Sequence, residues 1–254
     1  MARADRFNLG WRVAQFVAVP LARVLMGTRV ANPEKVPATG PFIVVPNHFS
    51  DVDPVIVGLG VWKTGRFPHF LAKESLFRVT LLGWFLRNTD MVPVLRGRRG
   101  GGDPLAAARE LLGKGGGVVI YPEGTLTRDP DLWPMRGKTG AARLALQTGV
   151  PVIPCSHWGD QRIAPRWQHK LKFFPRTTVD VVFGDPVDLS PWLGGPLVGS
   201  SINAATDAIM AAITALVEQQ RGEPAPAERW DPAAHGQSEF GRENTTGTTG
   251  KTFQ

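Results

Sequence analysis

An α/β architecture, a sheet covered by helices, is the fold this sequence predicts, and three observations carry it. Short apolar, β-branched runs alternate with longer stretches of helical periodicity. The chain has 254 residues with 43% hydrophobic content, enough for one good-sized core rather than two. Polar clusters follow directly on several of the apolar runs, as expected where ligand groups gather at the carboxyl ends of strands in open α/β sheets.

Strand-like runs fall near 41–45, 67–71, 91–95, 117–121, 150–154 and 178–183. Helical stretches fall between and after them, near 54–62, 75–87, 103–113, 137–148 and 203–219. The first run, Pro41-Phe42-Ile43-Val44-Val45, is short and β-branched, and Pro54 suits the first turn of the helix after it, so the turn between them is tight. That turn holds Asn47-His48-Phe49-Ser50-Asp51-Val52-Asp53. A neutral imidazole titrates near ~6.5 and accepts a proton from an alcohol at neutral pH. A carboxylate on its other nitrogen fixes the tautomer and stabilises the imidazolium. A plainer reading stands beside this one: Asp53 as helix N-cap before Pro54, and His48 as a core histidine bonded to backbone.

The run Gly117-Val118-Val119-Ile120-Tyr121 leads into Pro122-Glu123-Gly124-Thr125. Met91-Val92-Pro93-Val94-Leu95 ends at Arg96, and Val150-Pro151-Val152-Ile153-Pro154 ends near Cys155. Binding a phosphate requires cations or backbone donors; the candidates are Arg96, Arg128, Arg136 and Lys138, with Lys73 after the strand-like run that ends at Leu71. The single cysteine excludes a disulfide framework, and no His/Cys cluster has metal-site spacing. His157 and His169 are isolated in the sequence and read as structural or surface residues. No Gly-x-Ser-x-Gly elbow is present, and Cys155 sits in an apolar run, which disfavours a covalent acyl-enzyme.

Taken in order, these blocks resemble the glycerolipid acyltransferase family of the bacterial 1-acylglycerol-3-phosphate acyltransferase type. Asn47-His48 through Asp53 matches the Asn-His-x4-Asp block, and Val92-Pro93-Val94-Leu95-Arg96 is similar to the block ending in a basic residue. Tyr121 through Thr125 matches the aromatic-Pro-Glu-Gly-Thr block, and Val150 through Pro154 the last one. The chain departs from the family in placing Leu126-Thr127-Arg128 after Glu-Gly-Thr, which moves the basic residue two positions on.

The resemblance implies a central mixed β-sheet flanked by helices, of the glycerol-3-phosphate acyltransferase kind. It implies transfer of a fatty acyl group from acyl-CoA or acyl carrier protein to the free hydroxyl of 1-acylglycerol-3-phosphate, with no cofactor and no metal. His48 is then the general base, Asp53 holds and polarises it, and Arg96 with Glu123, Gly124 and Thr125 belongs to the acceptor site. Glu123 either bonds glycerol hydroxyls or braces the basic groups. Glycerol-3-phosphate or another lysophospholipid is the alternative acceptor, since pocket shape decides that choice. A non-catalytic lipid-binding protein is the alternative of a different class.

The amino terminus divides from the rest. Between Phe7 and Met26 the chain is largely apolar, yet Arg12 and Arg23 fall on nearly one line at 100° per residue, opposite Phe7, Trp11, Ala14, Ala18, Leu21 and Leu25. Two arginines and Pro20 interrupt any spanning run, so Phe7 to Met26 reads as a helix lying in a membrane interface, and residues 1–30 as an amphipathic membrane-associating segment. Five Arg against one Asp give this segment +4 of the chain's +7, which suits anionic lipid. With the resemblance, the expected location is the cytoplasmic face of the cell membrane, peripheral or monotopic. No nucleic-acid-binding motif accompanies the pI near 10.1, so nucleic acid is not an expected partner. Residues 31–220 form the expected catalytic domain; residues 221–254, rich in Gly, Pro, Thr and charge, read as a disordered tail.

Overall fold

The computed structural model describes residues 7–94, 103, 105–166 and 171–238. The chain opens with helix α1 (Leu9–Val13), a π-helical turn over Ala14–Ala18, and helix α2 (Val19–Leu25). Pro20 carries no N–H for the carbonyl four residues back, and the wider π turn directly ahead of it accommodates that loss. Strands β1 (Gly27–Ala31) and β2 (Phe42–Pro46), helix α3 (Asp53–Lys63) and strand β3 (His69–Lys73) follow. Next come helix α4 (Thr80–Asn88), strand β4 (Val92–Val94), helix α5 (Ala106–Gly113), strand β5 (Gly117–Val119) and helix α6 (Gly140–Thr148). Strands β6 (Val152–Trp158) and β7 (Thr178–Phe183) and the long helix α7 (Gly199–Arg221) complete the order.

The seven strands form one mixed sheet in the order β1-β7-β6-β2-β5-β3-β4. Strands β6, β2, β5, β3 and β4 run parallel, β7 is antiparallel to β6, and β1 is parallel to β7. Each strand-like run of the sequence is matched by a strand, with β6 extending four residues further than expected. Strand β1 was missed; it begins directly after the stretch read as the N-terminal helix.

Every residue of β2 is buried, because both faces of the sheet are covered. The period of two divides them: Ile43 and Val45 join a core with α5, α6 and α7, while Phe42 and Val44 join one with α3, β6 and β7. Helix α7 is long and apolar enough to cross a membrane by length and composition, yet it packs Ile202, Ala205, Ile209 and Ile213 into the first of these cores.

The N-terminal helices dock on the domain. Trp11 stacks on Phe67 with ring centroids 4.5 Å apart and on Trp62 at 5.7 Å. Gly10 allows α1 to approach α4: a Cβ there would stand 2.3 Å from the Asn88 carbonyl oxygen. The buried residues are Trp11, Ala14, Val19 and Ala22, so the expected partition into an apolar and an arginine face gives way to two apolar faces. The π turn breaks the 100° register on which that partition relied. Phe16 (69% exposed), Leu21 and Val24 (70%) stay outside, and α4 adds Leu81 (82%), Leu82 and Trp84.

Beyond α7, residues 222–238 lie against the domain, where the composition suggested disorder. Arg136 N–H donates to the Trp230 carbonyl, Arg136 pairs with Asp231, and Trp230 stacks on His235. Residues 239–254 lie outside the described residues.

Candidate active site

The parallel strands deliver their carboxyl ends to one edge, and the polar clusters meet there. Strand β2 runs straight into Asn47-His48, and α3 begins five residues after His48, at Asp53. The Asp53 carboxylate does not cap the helix; the N-cap is Val52, which makes no side-chain bond. It turns back instead. Asp53 Oδ2 accepts from Phe49 N at 2.7 Å and Ser50 N at 3.0 Å, and lies 2.9 Å from His48 Nδ1. A carboxylate oxygen at Nδ1 places the hydrogen on that nitrogen and leaves the lone pair on Nε2. The His48 ring stacks on Tyr121, centroids 4.1 Å apart, and its side chain is 17% exposed, whereas Asp53 is fully buried.

The Glu123 turn clamps the same loop. Glu123 is fully buried; its Oε1 accepts from His48 N at 2.8 Å and its Oε2 from Met135 N at 3.1 Å. Thr127 N donates to the His48 carbonyl at 2.6 Å, so the backbone of His48 is held from both sides. Burial pushes the Glu123 carboxyl up to about 8, against the pull of its two backbone donors. Gly124 adopts φ +71°, a conformation that L side chains rarely reach, and a Cβ there would stand 3.1 Å from Lys138 Cδ. Thr125 is half-buried in the same turn.

The cationic candidates are spread out. A cavity of about 360 Å³ opens beside the turn, lined by Glu123, Arg136, Lys138 and Thr139 on one side and by Asn203 and Asp207 of α7 on the other; His48 does not border it. Arg136 is ion-paired to Asp231 at 3.0 Å. Arg128 is buried at 3% exposure, and Lys73 is exposed at the carboxyl end of β3. Arg96 and Leu95 lie outside the described residues, as does His169.

Sequence reasoning set His157 aside as isolated, and the structure places it at the centre of the polar cluster. It is fully buried, bonded to Asn47 and Asp160, with Nε2 3.6 Å from Asp53 Oδ2. The only sequence signal was that residue 157 follows closely on the apolar run 150–154; the pairing of Pro46 with Cys155, which sets His157 level with the His48 loop, appears only in the structure. Asp53, His157 and Asp160 bring ligand-type atoms within 4.8 Å of one another. His157 Nε2 faces the Asn47 carbonyl oxygen, which only accepts, so that nitrogen carries a hydrogen and has no lone pair for a cation, while Nδ1 lies 3.1 Å from Asp160 Oδ1. Cys155 is buried, and burial pushes its thiol up, which makes it inert as a nucleophile.

A parallel-sheet edge bearing an aspartate-bound histidine is an arrangement suited to general base catalysis. The profile of the acyltransferase family matches residues 27–158, the stretch from β1 to the end of β6, and the chain belongs to that family. Among its relatives are the chloroplast 1-acyl-sn-glycerol-3-phosphate acyltransferase BAT2 of Brassica napus, 33% identical over 140 residues, covering 54% of this chain and 39% of that protein. The 1-acyl-sn-glycerol-3-phosphate acyltransferase of Bacillus subtilis is 28% identical over 161 residues, 63% of this chain and 74% of that protein. The crystal structure of the 1-acyl-sn-glycerophosphate acyltransferase PlsC from Thermotoga maritima shares the fold with a TM-score of 0.59 at 23% identity, over 83% of this chain and 80% of that one. The chain thus spans about two fifths of the Brassica relative and most of the Bacillus one.

Proposed function

We propose that the protein transfers a fatty acyl group from a thioester, acyl-CoA or acyl carrier protein, to the free hydroxyl of 1-acylglycerol-3-phosphate, giving phosphatidic acid. The observation that carries this reading is the His48–Asp53 contact at 2.9 Å, with the carboxylate buried and the ring at the surface. His48 Nε2 takes the hydroxyl proton as the acceptor oxygen attacks the thioester carbonyl. The tetrahedral species expels the thiolate, which recovers that proton from Nε2. Asp53 fixes the tautomer and answers the charge of the imidazolium. The reaction so written needs no cofactor and no nucleophile from the protein.

In this reading Glu123 braces the catalytic loop rather than the glycerol, because both of its oxygens accept from backbone N–H groups. Gly124 and Thr125 shape the turn that carries it. The proposed set of cations for the acceptor phosphate is Lys73, Arg128, Arg136 and Lys138, with Arg96, which lies outside the described residues. The exposed apolar row of Phe16, Leu21, Val24, Leu81 and Leu82 would rest on an anionic bilayer, on the cytoplasmic face where acyl donors are made. Glycerol-3-phosphate or another lysophospholipid is the acceptor to test against, since the same dyad would serve it.

The deciding experiment supplies labelled acyl-CoA or acyl carrier protein with a panel of acceptors and identifies the lipid formed. Phosphatidic acid from 1-acylglycerol-3-phosphate supports the reading. Binding of lipid without product from any acceptor would leave only the non-catalytic alternative.

A further inference from the structure

The bond to Asp53 fixes one atom of the His48 ring and leaves the plane of that ring to be set by something else. Nδ1 lies 2.9 Å from Asp53 Oδ2. The torsion that turns an imidazole about its Cβ–Cγ bond is broad, so a single contact at Nδ1 still lets Nε2 swing. Nε2 is the atom that must meet the acceptor hydroxyl. A misplacement of about 1 Å between reacting groups costs on the order of 100-fold in rate, so the swing matters.

Tyr121 supplies the missing constraint. Its ring lies against a face of His48, with centroids 4.1 Å apart and planes 25° from parallel. The Cβ–Cγ axis lies in the plane of the imidazole, so turning about it drives the edge of the ring into the tyrosine face. Tyr121 is itself firmly placed. It stands two residues past Val119, which packs with Ile56 and Val57 of α3. Ile120 N donates to the Val44 carbonyl at 2.9 Å and Gly124 N to the Tyr121 carbonyl at 3.1 Å, so the backbone is tied on both sides of the ring. Strands β2, β5 and β3 are neighbours in the sheet, and each delivers one ring to a common stack: His48 just past β2, Tyr121 just past β5, and Phe70 within β3. The Phe70 ring is 6.3 Å from that of Tyr121 and 15° from parallel with it. The Tyr121 hydroxyl is buried and bonds no group among the described residues, so the contact with His48 belongs to the ring and not to the oxygen.

We infer that Tyr121 is a positioning residue for the reaction: its ring sets the plane of His48, so that Nδ1 stays on Asp53 while Nε2 is held toward the acceptor hydroxyl. This rests on the reading of His48 as the base. Glu123, two residues on, accepts from the His48 backbone N–H. One turn thus governs both the main chain and the ring of the catalytic residue.

The test compares Tyr121→Phe with Tyr121→Leu in the full-length protein. It reads kcat and KM for the acceptor, and the side-chain nitrogens of His48 by NMR, with the His48 signals assigned against His48→Gln. Tyr121→Phe keeps the ring and is expected to show the wild-type kcat and the wild-type His48 spectrum. Tyr121→Leu offers no flat face; its kcat is expected to fall roughly 2- to 13-fold with KM unchanged, the range of aromatic pairing expressed as a rate. In that variant the Nδ1–H signal of His48, expected in the wild type, should give way to a mixture of tautomers. A Leu variant with the wild-type kcat and His48 spectrum overturns the inference. So does a Phe variant that loses as much as the Leu variant, and so does a loss confined to KM. Should the Leu variant fail to fold, the wild type still decides: cross-relaxation between the ring protons of His48 and Tyr121 is expected, and its absence overturns the inference. Absence of acyl transfer in the wild type would sink the proposed function instead, because the NMR readout does not depend on turnover.

Discussion

Replacing Asp53 by Asn and by Ala separates holding the loop from carrying charge. Asp53 Oδ2 receives three donors: Phe49 N, Ser50 N and His48 Nδ1. Asp53→Ala strands all three in a buried place, at about 1–3 kcal/mol each, or roughly 3–9 kcal/mol together. That is comparable with the entire stability of an ordinary domain, about 5–15 kcal/mol. Asp53→Asn keeps all three when its carbonyl oxygen takes the place of Oδ2, and its amide then donates to Asp160 Oδ2, which lacks a donor among the described residues. The Asn variant should therefore melt within a few degrees of wild type. What it loses is charge opposite the imidazolium, the difference between a charged and a neutral hydrogen bond. At about 1–1.5 kcal/mol, that is a fall in kcat of roughly 5- to 13-fold. Thermal unfolding by circular dichroism and turnover of a labelled acyl thioester are the assays. An Asn variant that unfolds like the Ala variant, or one that turns over at the wild-type rate, would refute this account of Asp53.

Glu123 makes stability depend on pH. Its folded carboxyl keeps the proton up to about pH 8 while the unfolded one loses it near 4.5, so its contribution is full below that lower value and declines as pH rises between the two. The slope is at most about 1.4 kcal/mol per pH unit, and urea midpoints at pH 5.5 and 7.5 should show it in wild type and lose it in Glu123→Gln; an equal slope in both contradicts the assignment. Gly10→Ala places a methyl 2.3 Å from the Asn88 carbonyl oxygen, so α1 should lift from α4 and its amides exchange faster with deuterium; unchanged exchange would show that the helices yield. Changing Phe16 and Leu81 together to Ser should weaken sedimentation with anionic vesicles at least tenfold without lowering the melting temperature, whereas equal sedimentation would remove these side chains from the bilayer contact.

Much of the sheet was legible because its central strands are buried on both faces and read as unbroken β-branched runs. Strand β1, with the sequence Gly-Thr-Arg-Val-Ala, carries Arg29 outward to Asp180 and lacks that signature. The N-terminal helices were legible as helices but not in their facing, because one π turn shifts every later side chain around the axis. His48 and Asp53 could be found because they are local, five residues apart across one turn. His157 and Asp160 could not be joined to them, since their contact comes from the register of β6 on β2, which no local pattern encodes. Glu123 was found by its turn; its bonds to the backbone of His48 and Met135 depend on how three loops stack.

The most direct test of the central claim is the rate of acyl transfer to 1-acylglycerol-3-phosphate by His48→Ala, compared with wild type at equal amounts of folded, vesicle-bound protein. The account predicts that phosphatidic acid formation disappears while folding and vesicle binding stay as they were. Undiminished transfer by that variant would contradict it.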